Sequence, residues 1–182
     1  MMDRLRRWVL GHRILASMII TGPLLLWTHS TLSSMLWGLP LVLLGAAVRL
    51  WSSGIIRKDN AVAVDGPYAW TRNPLYLGNF FLGLGIALMG RNLPVLTLYL
   101  VAFYVVYTPV IQAEEESLRY KFGATYLSYF QRTPRFFPSL AHKPSPFGAR
   151  FSWQLVVKHR EYRAWIGLLV ILALLALRAT VT

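Results

Sequence analysis

Long uncharged stretches of apolar residues dominate this chain of 182 residues. Residues 14–48 and residues 92–113 contain no Asp, Glu, Lys or Arg. A run of about 18 or more predominantly apolar residues is long enough to cross a bilayer as a helix, so the pattern predicts an integral membrane protein. The first stretch is too long for one helix, and the polar residues 29–34 near its centre predict a tight turn between two spans.

Three further spans follow from the same pattern. The third begins at Pro74 and reaches about Met89, because a proline at the first helical position loses no hydrogen bond there. Residues 90–94 form the turn into a fourth span, from about Val95 to Ile111. A last apolar run from Ala164 to Leu177 predicts a fifth span. The predicted fold class is therefore an all-α integral membrane protein with about five transmembrane helices.

Basic residues are distributed unevenly between the predicted loops. Four lie before the first span, three lie within residues 53–73, and nine lie within residues 112–163. On the opposite side of the membrane, the predicted segments contain two basic residues, Arg91 and Arg178. Basic residues concentrate in the cytoplasmic segments of membrane proteins. This asymmetry of sixteen to two therefore predicts a cytoplasmic N-terminus, with residues 65–79 and the long polar segment after the fourth span in the cytoplasm.

Composition narrows the classes of protein that fit this pattern. Hydrophobic residues make up 55% of the chain and charged residues 14%, whereas soluble domains carry about a quarter charged residues. The absence of cysteine excludes disulfides, iron–sulfur clusters, thiolate zinc sites and a cysteine nucleophile. The four histidines lack the spacing of paired ligands on a helix, so no metal site is predicted. In a membrane protein, the net charge of +12 indicates contact with anionic lipid head groups rather than with nucleic acid.

Polar and aromatic side chains are concentrated where the third span begins. This junction starts as a Gly-Pro turn and becomes strongly apolar within a dozen positions. Side chains able to bind a ligand lie there, namely those of Tyr68, Trp70, Arg72, Asn73 and Tyr76. Anchoring a helix at the membrane surface does not require so many functional groups, so the junction is the first candidate site.

Three consecutive glutamates, Glu114, Glu115 and Glu116, follow the fourth span. Like charges beside an apolar helix repel each other and are costly to desolvate. One interpretation is a solvated helical turn in which they pair with Arg119 and Lys121. The alternative is that one or two of them face inward and hold a cation. The pattern of residues leaves both interpretations open.

Aromatic and basic side chains alternate after these glutamates, at Tyr126, Tyr129, Arg132 and Arg135. Such alternation is typical of an interfacial belt in which arginines extend toward the lipid head groups. The same groups can also line a ligand site, so this segment is the second candidate.

The two candidate segments together resemble the membrane methyltransferase family that contains the isoprenylcysteine carboxyl methyltransferases and the phosphatidylethanolamine N-methyltransferases. The family pattern Gly-Pro-Tyr, then Arg-His-Pro-x-Tyr-x-Gly, is similar to residues 66–68 and 72–78. A second family pattern contains Glu-Glu, a leucine, Phe-Gly, two spaced tyrosines and Arg-x-Pro-Arg, and it is similar to residues 114–135. The resemblance covers about residues 60–138, under half of the chain, with both patterns in the family's order.

The resemblance implies S-adenosylmethionine as the cofactor and assigns roles to residues of both patterns. The residues implied in cofactor binding are Tyr68, Arg72, Asn73, Pro74, Tyr76, Gly78, Glu114, Glu115 and Tyr126. The residues implied in catalysis are Arg72, Asn73, Glu115 and Arg132. A glutamate can pair with the ammonium group of the cofactor, while Arg72 or Asn73 can bind its carboxylate.

Asn73 departs from the family pattern, which has a histidine at this position. An amide can still hydrogen-bond to a carboxylate or a ribose. It cannot act as an acid, a base or a cation. The departure is therefore compatible with a family member that has an altered substrate or weak activity.

The resemblance also implies what the whole chain does and where. We expect methyl transfer to a lipophilic or membrane-associated acceptor, such as an isoprenylcysteine carboxylate, a phospholipid amine or a thiol. The cofactor site is expected at the cytoplasmic face of the cell (inner) membrane, with an acceptor that arrives from the bilayer. We expect one membrane-embedded domain, 1–182, comprising an N-terminal helical hairpin (1–58), a methyltransferase-like core (60–138), and an interfacial helix with the last span (139–182).

Two other functions fit parts of the sequence. Basic and aromatic residues within 139–163 are typical of an interfacial helix, so the first alternative is a non-catalytic membrane protein that docks on anionic lipid or on a partner. Such a protein should bind no cofactor and should tolerate Glu115→Gln. The second is a divergent membrane reductase, because membrane sterol reductases resemble this architecture. The chain contains no Gly-x-Gly-x-x-Gly dinucleotide pattern, which disfavours a reductase.

Overall fold

The computed structural model describes residue 27 and residues 29–57, 61–139 and 150–181. This part of the chain consists of helices and loops and contains no strand. Its helices, in chain order, are α1 (Leu32–Ile55), α2 (Pro67–Trp70), α3 (Pro74–Met89), α4 (Leu93–Arg132), α5 (Trp153–Lys158) and α6 (Tyr162–Val181). The predicted all-α class is confirmed.

Helices α1, α4 and α6 are long and apolar enough to cross a membrane. Helix α3 is also apolar, but it has 16 residues. The chain is therefore an all-α integral membrane protein, as predicted. Apart from residue 27, the first arm of the predicted hairpin lies outside the described residues. The number of five spans stays a prediction.

The polar residues of the predicted turn provide the start of α1. Thr31 is the N-cap, and its side chain accepts a hydrogen bond from Ser34 N at 3.2 Å. Ser34 Oγ accepts in return from Thr31 N at 2.9 Å. This capping box satisfies two backbone N–H groups that the start of a helix leaves unpaired. The Ser34 hydroxyl also donates to the carbonyl of Met89 at 2.7 Å, which ties the start of α1 to the end of α3.

Helices α1 and α3 pack closely because glycines face one another across their contact. A Cβ atom on Gly45 would lie 2.6 Å from the carbonyl oxygen of Gly78. One on Gly85 would lie 2.7 Å from the carbonyl oxygen of Gly38. Real side chains do not approach so closely, and small residues are what permits such contact between membrane helices. Gly85 therefore serves the packing of α3 against α1.

Two helices extend farther than predicted. The predicted second span lies within the uncharged stretch that ends at residue 48, but α1 continues to Ile55, and Arg49 within it has a buried partner in Glu161. Helix α4 continues past its predicted end near Ile111 as far as Arg132, with a break at Gly123. Its polar continuation is rich in Glu, Leu, Arg and Lys. These residues favour helix in water as well as beside a membrane, so the change to polar composition does not end the helix.

The segment that leads into α6 is fastened to the end of α1. Arg49 Nη2 donates to both carboxylate oxygens of Glu161 at 2.8 Å, and Nη1 donates to Oδ1 of Asn79. Nearby, Ser152 N donates to the carbonyl of Gly54 at 2.8 Å. Pairing offsets the cost of burying these charges. The network therefore joins α1, α3 and the start of α6 outside the predicted site.

Candidate functional site

The predicted junction before α3 folds into one helical turn and a bend. Gly66 adopts φ +58°, which glycine takes without strain, and α2 follows at once. The bend is fixed by the segment that follows α4. Arg72 N donates to the carbonyl of Pro134 at 2.9 Å, and Thr71 Oγ1 donates to the carbonyl of Arg135 at 3.1 Å. The two candidate segments are therefore in direct contact.

A sharp break at Gly123 brings the end of α4 back to this bend. Gly123 has φ +52° and ψ −126°, a conformation outside the helical region that favours glycine. Beyond the break, Tyr129 Oη donates to the carbonyl of Tyr68 at 2.8 Å. Residues 124–132 therefore form one wall of the site.

Glu115 is the centre of a buried polar cluster, and it is only 4% exposed. Its Oε1 accepts a hydrogen bond from Asn73 Nδ2 at 3.1 Å, and its Oε2 accepts one from Arg135 Nε at 3.1 Å. Arg72 adds an ion pair, with Nε 3.4 Å from Oε1. A buried carboxylate needs such partners because an unpaired buried charge is very costly. This glutamate faces inward, whereas Glu114 is exposed.

Asn73 uses both hydrogens of its amide group within this cluster. Besides Glu115, its Nδ2 donates to the carbonyl of Arg135 at 3.0 Å. A neutral histidine has a single ring N–H, so asparagine makes two donations here without carrying a charge. Asn73 thereby connects the bend to α4 and to the loop that follows α4.

Arg72 is buried with part of its hydrogen-bonding capacity unused. Its Nε and Nη1 have no hydrogen-bond partner, and the contact with Glu115 is an ion pair only. Its guanidinium carbon lies 3.7 Å from the centroid of the Phe130 ring. Burial lowers the pKa of Arg72 from 12.5, while the Glu115 carboxylate opposes that shift. Arginine starts from so high a pKa that the side chain stays a cation at neutral pH.

A cavity of ≈ 220 Å³ adjoins Arg72, and we call it the tyrosine cavity. The residues that line it are Ile56, Ala61, Val62, Ala63, Tyr68, Arg72, Glu114, Ser117, Leu118, Lys121, Phe122, Tyr126 and Tyr129. The Tyr68 hydroxyl is buried without a hydrogen-bond partner, and burial raises the pKa of Tyr68 well above 10.0. Buried polar groups without partners are rare in native proteins. Two residues of the cavity lining, a neutral phenol and an arginine cation, therefore have buried donors without partners.

A second cavity, of ≈ 440 Å³, lies along α4, and we call it the aromatic cavity. The residues that line it are Phe80, Leu100, Phe103, Tyr104, Tyr107, Thr108, Ile111, Gln112, Arg135, Phe136 and Phe137. The two cavities share no lining residue. Arg72 lines the tyrosine cavity, Arg135 lines the aromatic cavity, and both pair with Glu115. The glutamate thus links a polar cavity to a larger apolar one.

The structure brings most of the residues predicted from the resemblance together. The ones that line the tyrosine cavity are Tyr68, Arg72, Glu114 and Tyr126. Asn73 and Glu115 lie beside it in the buried cluster. Pro74 begins α3 directly after Asn73, and the Tyr76 hydroxyl donates to Oε2 of Glu114 at 2.8 Å. Tyr76 therefore orients a carboxylate of the cavity without lining the cavity.

Two predicted residues lie elsewhere. Gly78 is at the contact of α1 with α3, where a Cβ atom would lie 2.6 Å from Cγ of Arg49. Arg132 is exposed at the end of α4. Arg135 is the arginine of the final Arg-x-Pro-Arg that reaches Glu115, because the chain turns back after Thr133 toward the bend before α3.

The ring of Phe130 contacts Arg72, but Phe130 is not among the residues predicted from the sequence. Tyr129 and Arg135 are predicted only as parts of a pattern of alternating aromatic and basic residues. An aromatic residue among tyrosines and arginines is equally typical of a membrane interface, so no local signal marks Phe130. Among the residues that the structure describes, no group of three or more His, Asp or Glu side chains could hold a metal ion.

Comparison with known proteins gives a family match that covers α1 to α3 and much of α4. The profile of the family described as phospholipid methyltransferase matches residues 19–125, which is more than half of the chain. No solved structure gives a significant match.

Curated relatives carry two kinds of name. The chain is 34% identical over 139 residues to the cobalt-zinc-cadmium resistance protein CzcN of Cupriavidus metallidurans, which covers 71% of this chain and 62% of that protein. It is 31% identical over 80 residues to the protein-S-isoprenylcysteine O-methyltransferase of Xenopus laevis, covering 44% of this chain and 28% of that protein. The enzyme of the same name from Rattus norvegicus is 26% identical over 136 residues, covering 62% and 48%.

The chain spans between 28% and 62% of the length of these relatives. The predicted resemblance to the membrane methyltransferases is confirmed by the family match and by the isoprenylcysteine methyltransferases among the relatives. With its helical membrane fold and with both family patterns meeting at Glu115, this chain belongs to the phospholipid methyltransferase family.

Proposed function

We propose that this chain is an enzyme that transfers a methyl group from S-adenosylmethionine to a lipophilic or membrane-associated acceptor. The observation that carries the proposal is a pair of buried, unpartnered donors, Tyr68 Oη and Arg72 Nη1, in a cavity that also presents the carboxylate of Glu114. A buried donor without a partner costs free energy. Two such donors in one cavity, both within a family pattern, favour a ligand that carries an acceptor or a negative charge.

The residues of the tyrosine cavity fit the groups of this cofactor. When bound, S-adenosylmethionine supplies a methyl group that its sulfonium already activates, so the protein need not provide a nucleophile. Arg72 suits the carboxylate of the cofactor because its Nη1 is free, and Glu114 suits the ammonium group. The rings of Tyr126 and Tyr129 offer π faces to an adenine or to a cation.

The buried cluster has a supporting role in this proposal. Glu115 holds Arg72 on one side and Arg135 on the other, so it fixes the two cations relative to each other. Asn73 holds Glu115 in turn. Correct placement of two reactants is worth up to about 7–11 kcal/mol of the barrier in favourable cases. We assign the cluster to placement and charge compensation, with no proton transfer required of Asn73.

The aromatic cavity suits the acceptor. Aromatic side chains make up most of its apolar lining, and Tyr104, which lines it, is 71% exposed on α4. Exposure on a membrane helix gives access to lipid, so an acceptor with an apolar chain can arrive from the bilayer. Arg135 places a cation at the end of this cavity nearest Glu115. An isoprenylcysteine carboxylate, a phospholipid amine and a thiol are the acceptor classes that we consider.

Topology and location form part of the proposal. The uneven distribution of basic residues favours a multi-pass protein of the inner cell membrane, with a cytoplasmic N-terminus and about five spans. In this arrangement the tyrosine cavity opens to the cytoplasm, from which a soluble cofactor arrives.

Binding of S-adenosylhomocysteine to the purified protein in detergent tests the cofactor assignment. We expect calorimetry to give saturable binding to the wild type and to Glu116→Gln, because Glu116 lies outside the cavity lining. Arg72→Gln should bind at least about tenfold more weakly, because it removes the buried cation of the cavity lining. Absence of binding to the wild type would contradict the proposal.

A non-catalytic docking function is the second candidate. Trp153 and Val157 on α5 are each 64% exposed, and exposed Lys158, Arg160 and Arg163 lie beside them. This combination is typical of a helix at a membrane interface. It predicts unchanged binding to anionic vesicles in Glu115→Gln and no binding of S-adenosylhomocysteine to the wild type, whereas the methyltransferase proposal predicts cofactor binding that is at least about tenfold weaker in that variant.

A further inference from the structure

Phe130 lies between two arginine side chains. The guanidinium carbon of Arg72 and that of Arg119 each lie 3.7 Å from the centroid of its ring. Two planar cations cannot both approach one face of a ring so closely, so they occupy opposite faces. Arg119 precedes the break at Gly123 and Phe130 follows it. The ring therefore joins the two parts of α4 to each other and to the bend before α3.

The contact with the Phe130 ring explains how the guanidinium of Arg72 can be fixed in place while its Nε and Nη1 make no hydrogen bond. A guanidinium that stacks on a ring is held by its face, and its N–H groups in the plane remain available for a carboxylate. A hydrogen-bonded anchor would use those donors. Nε and Nη1 of Arg72 have no hydrogen-bond partner, and the neighbouring Glu115 makes an ion pair without a hydrogen bond. The other cation in the lining of the tyrosine cavity is Lys121, which is exposed, so Arg72 is the buried one.

We propose that Phe130 is a positioning residue, whose ring fixes the guanidinium of Arg72 so that its free edge meets an anionic group of the ligand in the tyrosine cavity. Arg119 occupies the outer face of the ring and limits its rotation. The identity of the ligand as S-adenosylmethionine or its product rests on the proposed function. The contact between ring and cation does not, because it is present in the protein alone.

Replacement of Phe130 by mono-, di- and trifluorinated phenylalanine tests this role. Each fluorine withdraws electron density from the ring and weakens its attraction for a cation, while the shape of the side chain changes little. We expect the dissociation constant of S-adenosylhomocysteine to rise stepwise along the series, by about tenfold in total. The same series at Phe81, which contacts Phe80 on α3 and lines neither cavity, should leave the constant unchanged.

A readout without ligand separates this inference from the proposed function. In the free protein, trifluorination of Phe130 should lower the melting temperature by roughly 2–4 °C. The decrease should vanish when Arg72→Gln and Arg119→Gln are present. If this coupling appears but the wild type binds no S-adenosylhomocysteine, the proposed function fails and the positioning contact stands. If the wild type binds S-adenosylhomocysteine and neither affinity nor coupling responds to fluorination, the inference is overturned and the proposed function stands.

Discussion

Asn73 and Glu115 form a buried hydrogen bond of 3.1 Å across 42 positions of the chain. It connects the two sequence patterns that define the family, one before α3 and one within α4. Asn73 stands where the family pattern has a histidine, and its amide makes two donations that a neutral imidazole cannot make together. The departure from the pattern therefore preserves the connection between the two segments.

Removal of the charge of Glu115 should weaken both the fold and the site. Glu115→Gln leaves two arginines beside a neutral amide, so we expect a loss of about 2 kcal/mol in stability, since Arg135 is partly exposed. We also expect at least about tenfold weaker binding of S-adenosylhomocysteine, since Arg72 loses its counter-ion. Glu116→Gln is the matched control, and calorimetry with thermal unfolding measures both effects. Equal affinity in the two variants would show that Glu115 has no role in placing Arg72.

Restoring the histidine should make binding depend on pH. In Asn73→His, a neutral ring can donate either to Glu115 or to the carbonyl of Arg135, but an imidazolium can donate from both nitrogens. We expect about fivefold weaker binding of S-adenosylhomocysteine than in the wild type near pH 8, with partial recovery near pH 6. Asn73→Asp, which places a second carboxylate beside Glu115, should bind weakly at both values. A histidine variant with the same affinity throughout would contradict this account of Asn73.

The break in α4 depends on a glycine. At Gly123 an added Cβ atom would meet no neighbour within 4 Å, so the obstacle to alanine is the backbone conformation with φ +52° alone. We expect Gly123→Ala to cost about 1–3 kcal/mol and to weaken binding of S-adenosylhomocysteine, because a straight helix carries Tyr126 and Tyr129 away from the cavity. Gly167→Ala in α6 is the control, since it has open space and no unusual φ. Equal stability of the two variants would show that the break is not required.

The ion pair of Arg49 with Glu161 should support the fold and not the site. Both side chains are largely buried, and neither lines a cavity described above. Glu161→Gln leaves Arg49 without its counter-ion, so we expect a loss of about 3 kcal/mol in thermal or denaturant unfolding. The affinity for S-adenosylhomocysteine of the folded fraction should be unchanged. A change in affinity with unchanged stability would reverse this assignment.

Tyr68 should affect binding at neutral pH and stability at alkaline pH. Its hydroxyl is buried without a partner, so Tyr68→Phe should leave the stability of the free protein unchanged or slightly higher and weaken S-adenosylhomocysteine binding several-fold. Burial raises the pKa of Tyr68, so the fold favours the protonated form. That contribution is complete below pH 10.0, the ordinary pKa, and is lost as pH rises toward the folded value. The stability of Tyr68→Phe relative to the wild type should therefore rise above pH 10.0, and a constant difference would contradict this.

Much of the fold follows from local signals in the sequence. The polar residues around Thr31 predict the start of α1, and Pro74 predicts the start of α3, because caps and prolines act within a few positions. The lengths of α1 and α4 are not predictable in this way. Helix α1 passes Arg49, and the partner of this buried arginine, Glu161, is distant in sequence. A change to polar composition ends a membrane span but need not end a helix, so α4 continues past Ile111 to Arg132, with a break at Gly123.

In the candidate site too, some features follow from local sequence signals and others depend on contacts between distant residues. Both segments are recognisable from motifs, and the inward orientation of Glu115 is one of two interpretations that the sequence offers. Which arginine reaches Glu115 depends on the turn after Thr133, and it is Arg135, while the predicted Arg132 is exposed. The contact of Phe130 with Arg72 depends on the break at Gly123. Such contacts between distant residues cannot be read from spacing.

Methyl transfer from isotopically labelled S-adenosylmethionine tests the central claim most directly. Membranes containing the wild type or Arg72→Gln would be incubated with the labelled cofactor, and lipid and thiol extracts would be analysed by mass spectrometry. We predict a labelled lipophilic product with the wild type and a decrease of at least about tenfold with the variant. Its chemical form, whether methyl ester, methylated amine or thioether, identifies the acceptor. No labelled product with the wild type, in membranes where the protein binds S-adenosylhomocysteine, would contradict the assignment as a methyltransferase.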